Sequence, residues 1–197
     1  MLSKEKLQKF YLINKKSSLE IAEILKCSEH KVNYWILKYE IPKRSISEAI
    51  YVKNNPHGDP FDIKDIKTLK DTKLLGLGLG LYWGEGNKKN KTSIRLGNTD
   101  PALIKKFIEF LIMAFNINTS KLKFGLQIFS DLSKKKSLKF WLVELKKFNI
   151  RREQFSKVII TPTRGIGNYR EKSQFGVLTV HFNNIKLKKI LDSMLPM

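Results

Sequence analysis

The chain's 197 residues carry 38 Lys and Arg against 18 Asp and Glu, a formal charge of +20, and 42% of them are hydrophobic. That length allows one large domain or a small one joined to a medium one, and a mean hydropathy of -0.30 excludes the disordered and membrane-embedded classes. So large a cationic excess repels itself in a compact fold unless a polyanion is the usual partner, and nucleic acid is the commonest one.

Charged residues from Lys4 onward leave no apolar leader core, and no terminal basic amphipathic helix or lipidation signal favours a membrane. Helical spacing predicts three short helices between residues 3 and 39. Leu7, Phe10, Tyr11 and Ile13 make an apolar face on the first, and residues 14–17 form a polar break. Ser18 is placed to cap the second helix, in which Ile21, Ala22, Ile24 and Leu25 follow helical spacing. A turn at Lys26 and Cys27 leads to Ser28, an N-cap for a third helix with Val32, Trp35 and Ile36 inward. Cys27 is the only cysteine, which excludes an internal disulfide and a cysteine-rich zinc site and fits a reducing, cytoplasmic setting.

The pattern IAEILKCSEHKVNYW resembles a helix-turn-helix, which implies a third helix in the major groove of duplex DNA. His30, Lys31, Asn33 and Tyr34 are then the candidates for base contact, with Lys38, Lys43 and Arg44 placed to meet phosphates. Lys26 departs from the motif, since such turns often place Gly in the left-handed position. The other reading is a small three-helix bundle with a solvated face.

Residues 44–52 read as a further short helix, and NNPHGDP at 54–60 as a linker dense in turn formers. Ile63, Ile66 and Leu69 suit a turn leading into the next helix, which Asp71 or Thr72 is placed to cap. That next stretch, LLGLGLGLYWGEG at 74–86, organises the rest. As a helix it sets Gly76, Gly80 and Gly84 on one stripe, with Leu, Tyr and Trp on its other sides, and it is buried all round. Each glycine costs a helix roughly 1 kcal/mol, so the stripe calls for a close backbone partner. Leu-Gly alternation also allows a strand with one bare face. No phosphate-loop spacing fits these glycines, and the run is too short for a membrane span.

Residues 87–91, NKKNK, form a basic turn, and 93–98 alternate as a strand. Asp100 followed by Pro101 starts a helix to about residue 115, with Ile104, Phe107, Ile108, Leu111 and Phe115 on its buried face. Lys-Phe, seven residues, then Phe-Asn-Ile occurs twice, at 106–117 and 139–150. Each copy is a helix ending at an Asn suited to left-handed backbone, then an apolar residue, then a strand, at 122–129 and 155–161. A basic loop carries Arg164 and Arg170. Residues 176–182 alternate as a strand, and 185–194 close the chain as a helix with Leu187, Ile190 and Leu191 inward. This order suits an α+β sheet with helices on one face. His30, His57 and His181 lie far apart without metal-ligand spacing, so ordinary polar or capping roles are expected of them. The tryptophans Trp35, Trp83 and Trp141 occupy helical apolar positions and are expected in the core.

Residues 78–86 are similar to the nine signature positions of the LAGLIDADG homing endonuclease family, and residues 93–115 resemble the strand and helix that follow. Gly80 and Gly84 match the family's small residues, and Glu85 its terminal acidic residue. Gly78 stands where the family has Leu, and Trp83 where it has an acidic residue. The resemblance implies a saddle-shaped antiparallel sheet over residues 70–197, after a helix-turn-helix domain at 1–52 and a linker and turn at 53–69. It also implies a homodimer packed through Gly76, Gly80 and Gly84, with Glu85 of each copy binding Mg²⁺ to cut one DNA strand. Lys123 and Gln127 fit the family's catalytic helpers, and Lys88, Lys89, Lys91, Arg95, Arg164 and Arg170 fit its DNA contacts. A non-cutting transcription regulator of the same architecture is the rival reading, and an RNA-binding accessory protein a third.

Overall fold

A computed structural model describes residues 1–163 and 173–196, and in its first unit, Met1–Asp59, helices start where a serine hydroxyl accepts a backbone N–H. Ser3, Ser17, Ser28 and Ser45 cap α1 (Lys4–Gln8), α2 (Ser18–Ile24), α3 (Glu29–Lys38) and α4 (Ile46–Asn54). The cap of α2 is thus Ser17 rather than Ser18. Glu20 stands three residues after Ser17 and accepts its backbone N–H at 2.7 Å, which closes a capping box. Ser18 instead donates to Asn33 Oδ1 on α3 at 3.0 Å. Lys26 takes the left-handed backbone of the α2–α3 turn itself, at φ +49°.

Leu7, Tyr11, Ile21, Ala22, Val32, Ile36 and Ile41 form the core of this unit, and Trp35 packs at its edge. Ile13, expected on the apolar face, is exposed. The cause is a π turn over Lys9–Ile13, in which Asn14 N–H reaches five residues back to the Lys9 carbonyl. The extra residue per turn rotates Ile13 off the core face.

The second unit is Pro60–Met197. Its first residues, expected within the linker, are tied to the end of α6 (Pro101–Phe115): Asp62 and Lys64 N–H donate to the Phe115 and Ala114 carbonyls, and Asn118 N–H to the Pro60 carbonyl. The glycine-rich stretch is a helix, α5 (Leu69–Glu85), and not a strand. Thr68, ahead of the two residues expected to cap it, accepts Asp71 N–H at 3.1 Å and is the true cap.

Then follow β1 (Ile94–Asn98), α6, β2 (Leu122–Phe129), α7 (Lys134–Glu144), β3 (Ile159–Thr161), β4 (Val177–Phe182) and α8 (Ile185–Ser193). Asp100 caps α6 with Pro101 in its first turn, and Asn116 and Asn149 take φ of +41° and +57° after the two Lys-Phe helical stretches, with Ile117 and Ile150 buried behind them.

The sheet order is β1-β4-β2-β3, and the fold is α+β. β4 pairs antiparallel with β1 and β2, but β3 pairs parallel with β2, so the sheet is mixed rather than antiparallel throughout. The reason is α7: a helix between β2 and β3 returns the chain in the same direction. The predicted strand over 155–161 shortens to β3 plus one parallel bridge from Phe155 to Phe124. One sheet face, with Ile94, Leu96, Leu122, Phe124, Leu126, Ile128, Leu178, Val180 and Phe182, joins Phe107, Leu111, Trp141, Leu187 and Leu191 in a single core. Among the described residues no helix is long and apolar enough to cross a membrane.

Candidate functional site

The two sides of α5 differ in what they meet. Gly78 faces α6, where a Cβ would lie 2.0 Å from Cγ of Phe110, so this glycine, and not the stripe beside it, supplies the close approach within the chain. Tyr82 follows one turn later, fully buried and stacked on Phe107. A Cβ at Gly76, Gly80 or Gly84 would meet nothing within 4 Å. Leu77 and Trp83, exposed at 47% and 58%, flank those glycines at helical spacing. The helix expected to be buried all round is therefore buried on one side, and Trp83 stands outside the core. α6 packs along α5 on the Gly78 side.

Glu85 is the last residue of α5 and is exposed, and among the described residues it carries no hydrogen bond or ion pair. The backbone around it is held tightly. Gly86 N–H donates to the Tyr82 carbonyl and Asn87 N–H to the Arg95 carbonyl, both at 2.9 Å, and Gly86 bridges Leu96 on β1. Lys88 Nζ donates to the Trp83 carbonyl, one of the unpaired carbonyls of the helix end. Lys89 and Lys91 stay exposed on a turn closed by Asn90, whose Oδ1 accepts the N–H groups of Thr92 and Ser93.

Beneath this junction lies a buried charge. Lys188 on α8 is 0% exposed, and its Nζ donates to both carboxylate oxygens of Asp192 and lies 5.6 Å from the Tyr82 ring centre. Burial works against the Lys188 ammonium, but its bonds to Asp192 and Tyr82 outweigh that and raise its pKa. Burial also raises the pKa of the Tyr82 phenol, against the pull of Lys188.

The sheet face away from the core gathers other predicted residues. By register Arg95, His181 and Lys123 stand side by side on β1, β4 and β2, with Gly97, Thr179 and Gly125 in the next outward row. Gln127 follows on β2, and its Nε2 donates to Thr161 Oγ1 at 2.9 Å. Arg95, Thr179 and His181 are half-buried, and Lys123 and Gln127 are exposed. The structure thus brings Arg95, Lys123 and Gln127 onto one surface, while Glu85 stands at the end of α5.

Sequence reasoning gave His181 an ordinary polar or capping role and passed over Lys188. Period-two alternation at 176–182 already put Val177, Thr179 and His181 on one face, but not their neighbours. For Lys188 the signal was its place on the inward stripe with Leu187 and Leu191.

In the first unit His30, Lys31, Tyr34, Lys38 and Lys43 are exposed, with Lys38 Nζ 4.9 Å from the Trp35 ring centre. Asn33 is half-buried and held by Ser18. Arg44, expected among the phosphate contacts, is engaged internally. Its Nη1 donates to the Lys15 carbonyl at 2.6 Å, its Nη2 to the Lys16 carbonyl, and its guanidinium lies 4.4 Å over the Tyr11 ring. Arg164 and Arg170 lie outside the described residues.

The charge is unevenly divided. Residues 60–197 hold 27 Lys and Arg against 11 Asp and Glu, and residues 1–59 hold 11 against 7. Among the described residues no three His, Cys, Asp or Glu side chains cluster as a metal site. Comparison with family models, curated proteins and solved structures finds no match.

Proposed function

We propose that this chain is a sequence-specific duplex-DNA-binding protein of LAGLIDADG-like type, joined to a helix-turn-helix. In this reading it acts as a homodimer paired through α5 and cuts both strands with Mg²⁺. The observation that carries the reading is the uncovered side of α5, where Gly76, Gly80 and Gly84 leave the backbone open to another backbone, with an exposed Glu85 next in the chain at the helix end. Two-fold pairing along it sets two Glu85 carboxylates near one axis, one for each strand. The cationic surplus of the second unit supports a polyanion as the partner of its sheet face.

Glu85 fits a hard divalent ion: it is an exposed oxygen donor on a helix end fixed by Gly86 and Asn87, and Mg²⁺ needs few protein oxygens. When bound, Mg²⁺ polarises the phosphate and lowers the pKa of a bound water. Lys123 and Gln127 orient the phosphodiester from the sheet, and Lys88, Lys89, Lys91 and Arg95 hold neighbouring phosphates. In the first unit His30, Lys31, Asn33 and Tyr34 meet base edges, and Lys38 and Lys43 meet phosphates.

One residue favours the rival, a transcription regulator that binds without cutting. Trp83 occupies the place of the family's first acidic residue, leaving Glu85 as the single carboxylate of the motif. The exchange Glu85→Gln separates the two readings. The nuclease keeps its DNA affinity and loses cutting by about 100-fold or more, the scale of one charged group acting on developing charge. A wild-type chain that binds duplex and never nicks it with Mg²⁺ is the regulator.

A further inference from the structure

Arg95, His181 and Lys123 sit in cross-strand register, and adjacent strands lie about 4.8 Å apart, so the three side chains span about 10 Å. The imidazole lies across the sheet toward β2, where a Cβ at position 125 would come within 3.2 Å of His181 Nε2. Glycine at 125 leaves the ring its place. The charged groups facing His181 are Arg95 from β1 and Lys123 from β2, and its same-face neighbour on β4 is Thr179. Among the described residues no strand position on this face is acidic: the others are Gly97, Val177, Gly125, Gln127, Phe129, Ile159 and Thr161. Three nitrogen-bearing side chains in a row, with no carboxylate among the described strand residues of this face, call for an anion from outside.

We infer that Arg95, His181 and Lys123 form one phosphate-binding row, in which His181 takes up a proton from solvent as a phosphodiester of the bound nucleic acid docks. This rests on the DNA-binding reading above. Burial, and then the neighbouring Arg95, hold the pKa of His181 below the ordinary histidine range, so in the free protein the ring is neutral near pH 7. A phosphate against the row reverses that balance, since its charge favours the imidazolium and the imidazolium donates from both nitrogens. The sign of the linkage follows. A group that binds its proton more tightly in the complex strengthens association as pH falls, by up to about tenfold per pH unit for one proton.

The test is the affinity of the full chain for a mixed-sequence duplex of about 30 base pairs, by fluorescence anisotropy at fixed low salt, between about pH 5.5 and 8. Wild type is expected to tighten as pH falls, and His181→Gln to lose most of that dependence. His181→Lys, with a fixed charge, is expected to bind at pH 8 about as well as wild type does at low pH. His30 and His57 remain in both variants, so the difference from wild type reports His181 alone. Lys123→Gln is expected to reduce the slope of log affinity against log salt by about 0.9, one phosphate contact. If duplex binding persists with the same pH dependence in His181→Gln, the inference is overturned and the DNA-binding reading stands. A wild-type chain that binds no duplex at any pH overturns both.

Discussion

Replacing Gly78 with Ala is expected to destabilise the second unit by about 3 kcal/mol, the upper end of the cost of overpacking a tight core. The sign runs against helix propensity, which favours Ala over Gly by about 1 kcal/mol in a helix interior. Contact decides it. The new methyl would start 2.0 Å from Cγ of Phe110, and Phe110 is fully buried and packed edge-on against Phe115, so it has nowhere to retreat. The same exchange at Gly80 meets nothing within 4 Å and is expected to stabilise the isolated chain by up to about 1 kcal/mol. Urea denaturation of the two variants measures the contrast. Equal stabilities would mean that α5 does not pack on α6 through Gly78.

Removing the Lys188 ammonium is the second large effect. Lys188→Ala is expected to cost about 3 kcal/mol or more, because it leaves a cavity and removes the cation that satisfies Asp192 and Tyr82 beneath the end of α5. Lys188→Met restores the volume without the charge and is expected to recover part of the loss. The pH dependence has a definite sign. The folded pKa of Lys188 is raised, so this stabilisation is present in full at neutral pH and is lost only as pH climbs through the alkaline range past an ordinary lysine. Thermal melts of wild type and Lys188→Met at neutral and alkaline pH measure it. The difference between them is expected to shrink as pH rises, and a constant difference would mean that the charge contributes nothing.

How much of this was legible depended on whether the cause was local. The start of α6 at Asp100 and Pro101, its left-handed end at Asn116, the caps at Ser28 and the strand over Leu122–Phe129 all rest on residues a few positions apart, and the structure has each of them. Contacts between distant segments were less readable. Helical spacing set Gly76, Gly80 and Gly84 on one stripe, but only the placement of α6 made Gly78 the glycine pressed against a neighbour and left Trp83 outside. The parallel partner of β2 depends on α7 carrying the chain back across the sheet, which no period in residues 155–161 announces. Arg44 reads as a surface cation until the carbonyls of Lys15 and Lys16 are seen to converge on it. Of the candidate site, Arg95, Lys123 and Gln127 were named only through the family resemblance. The row they form with His181 needed the register of β4.

The most direct measurement of the central claim is the number of chains bound per duplex, by sedimentation of wild type and Gly80→Leu with and without DNA. Pairing along the bare side of α5 predicts two wild-type chains per duplex. It also predicts a folded Gly80→Leu chain that stays monomeric, because a Cβ there meets nothing in its own chain within 4 Å and a leucine side chain holds a second helix away. A wild-type protein that binds as a monomer, or a Gly80→Leu variant that assembles and binds like wild type, would contradict it.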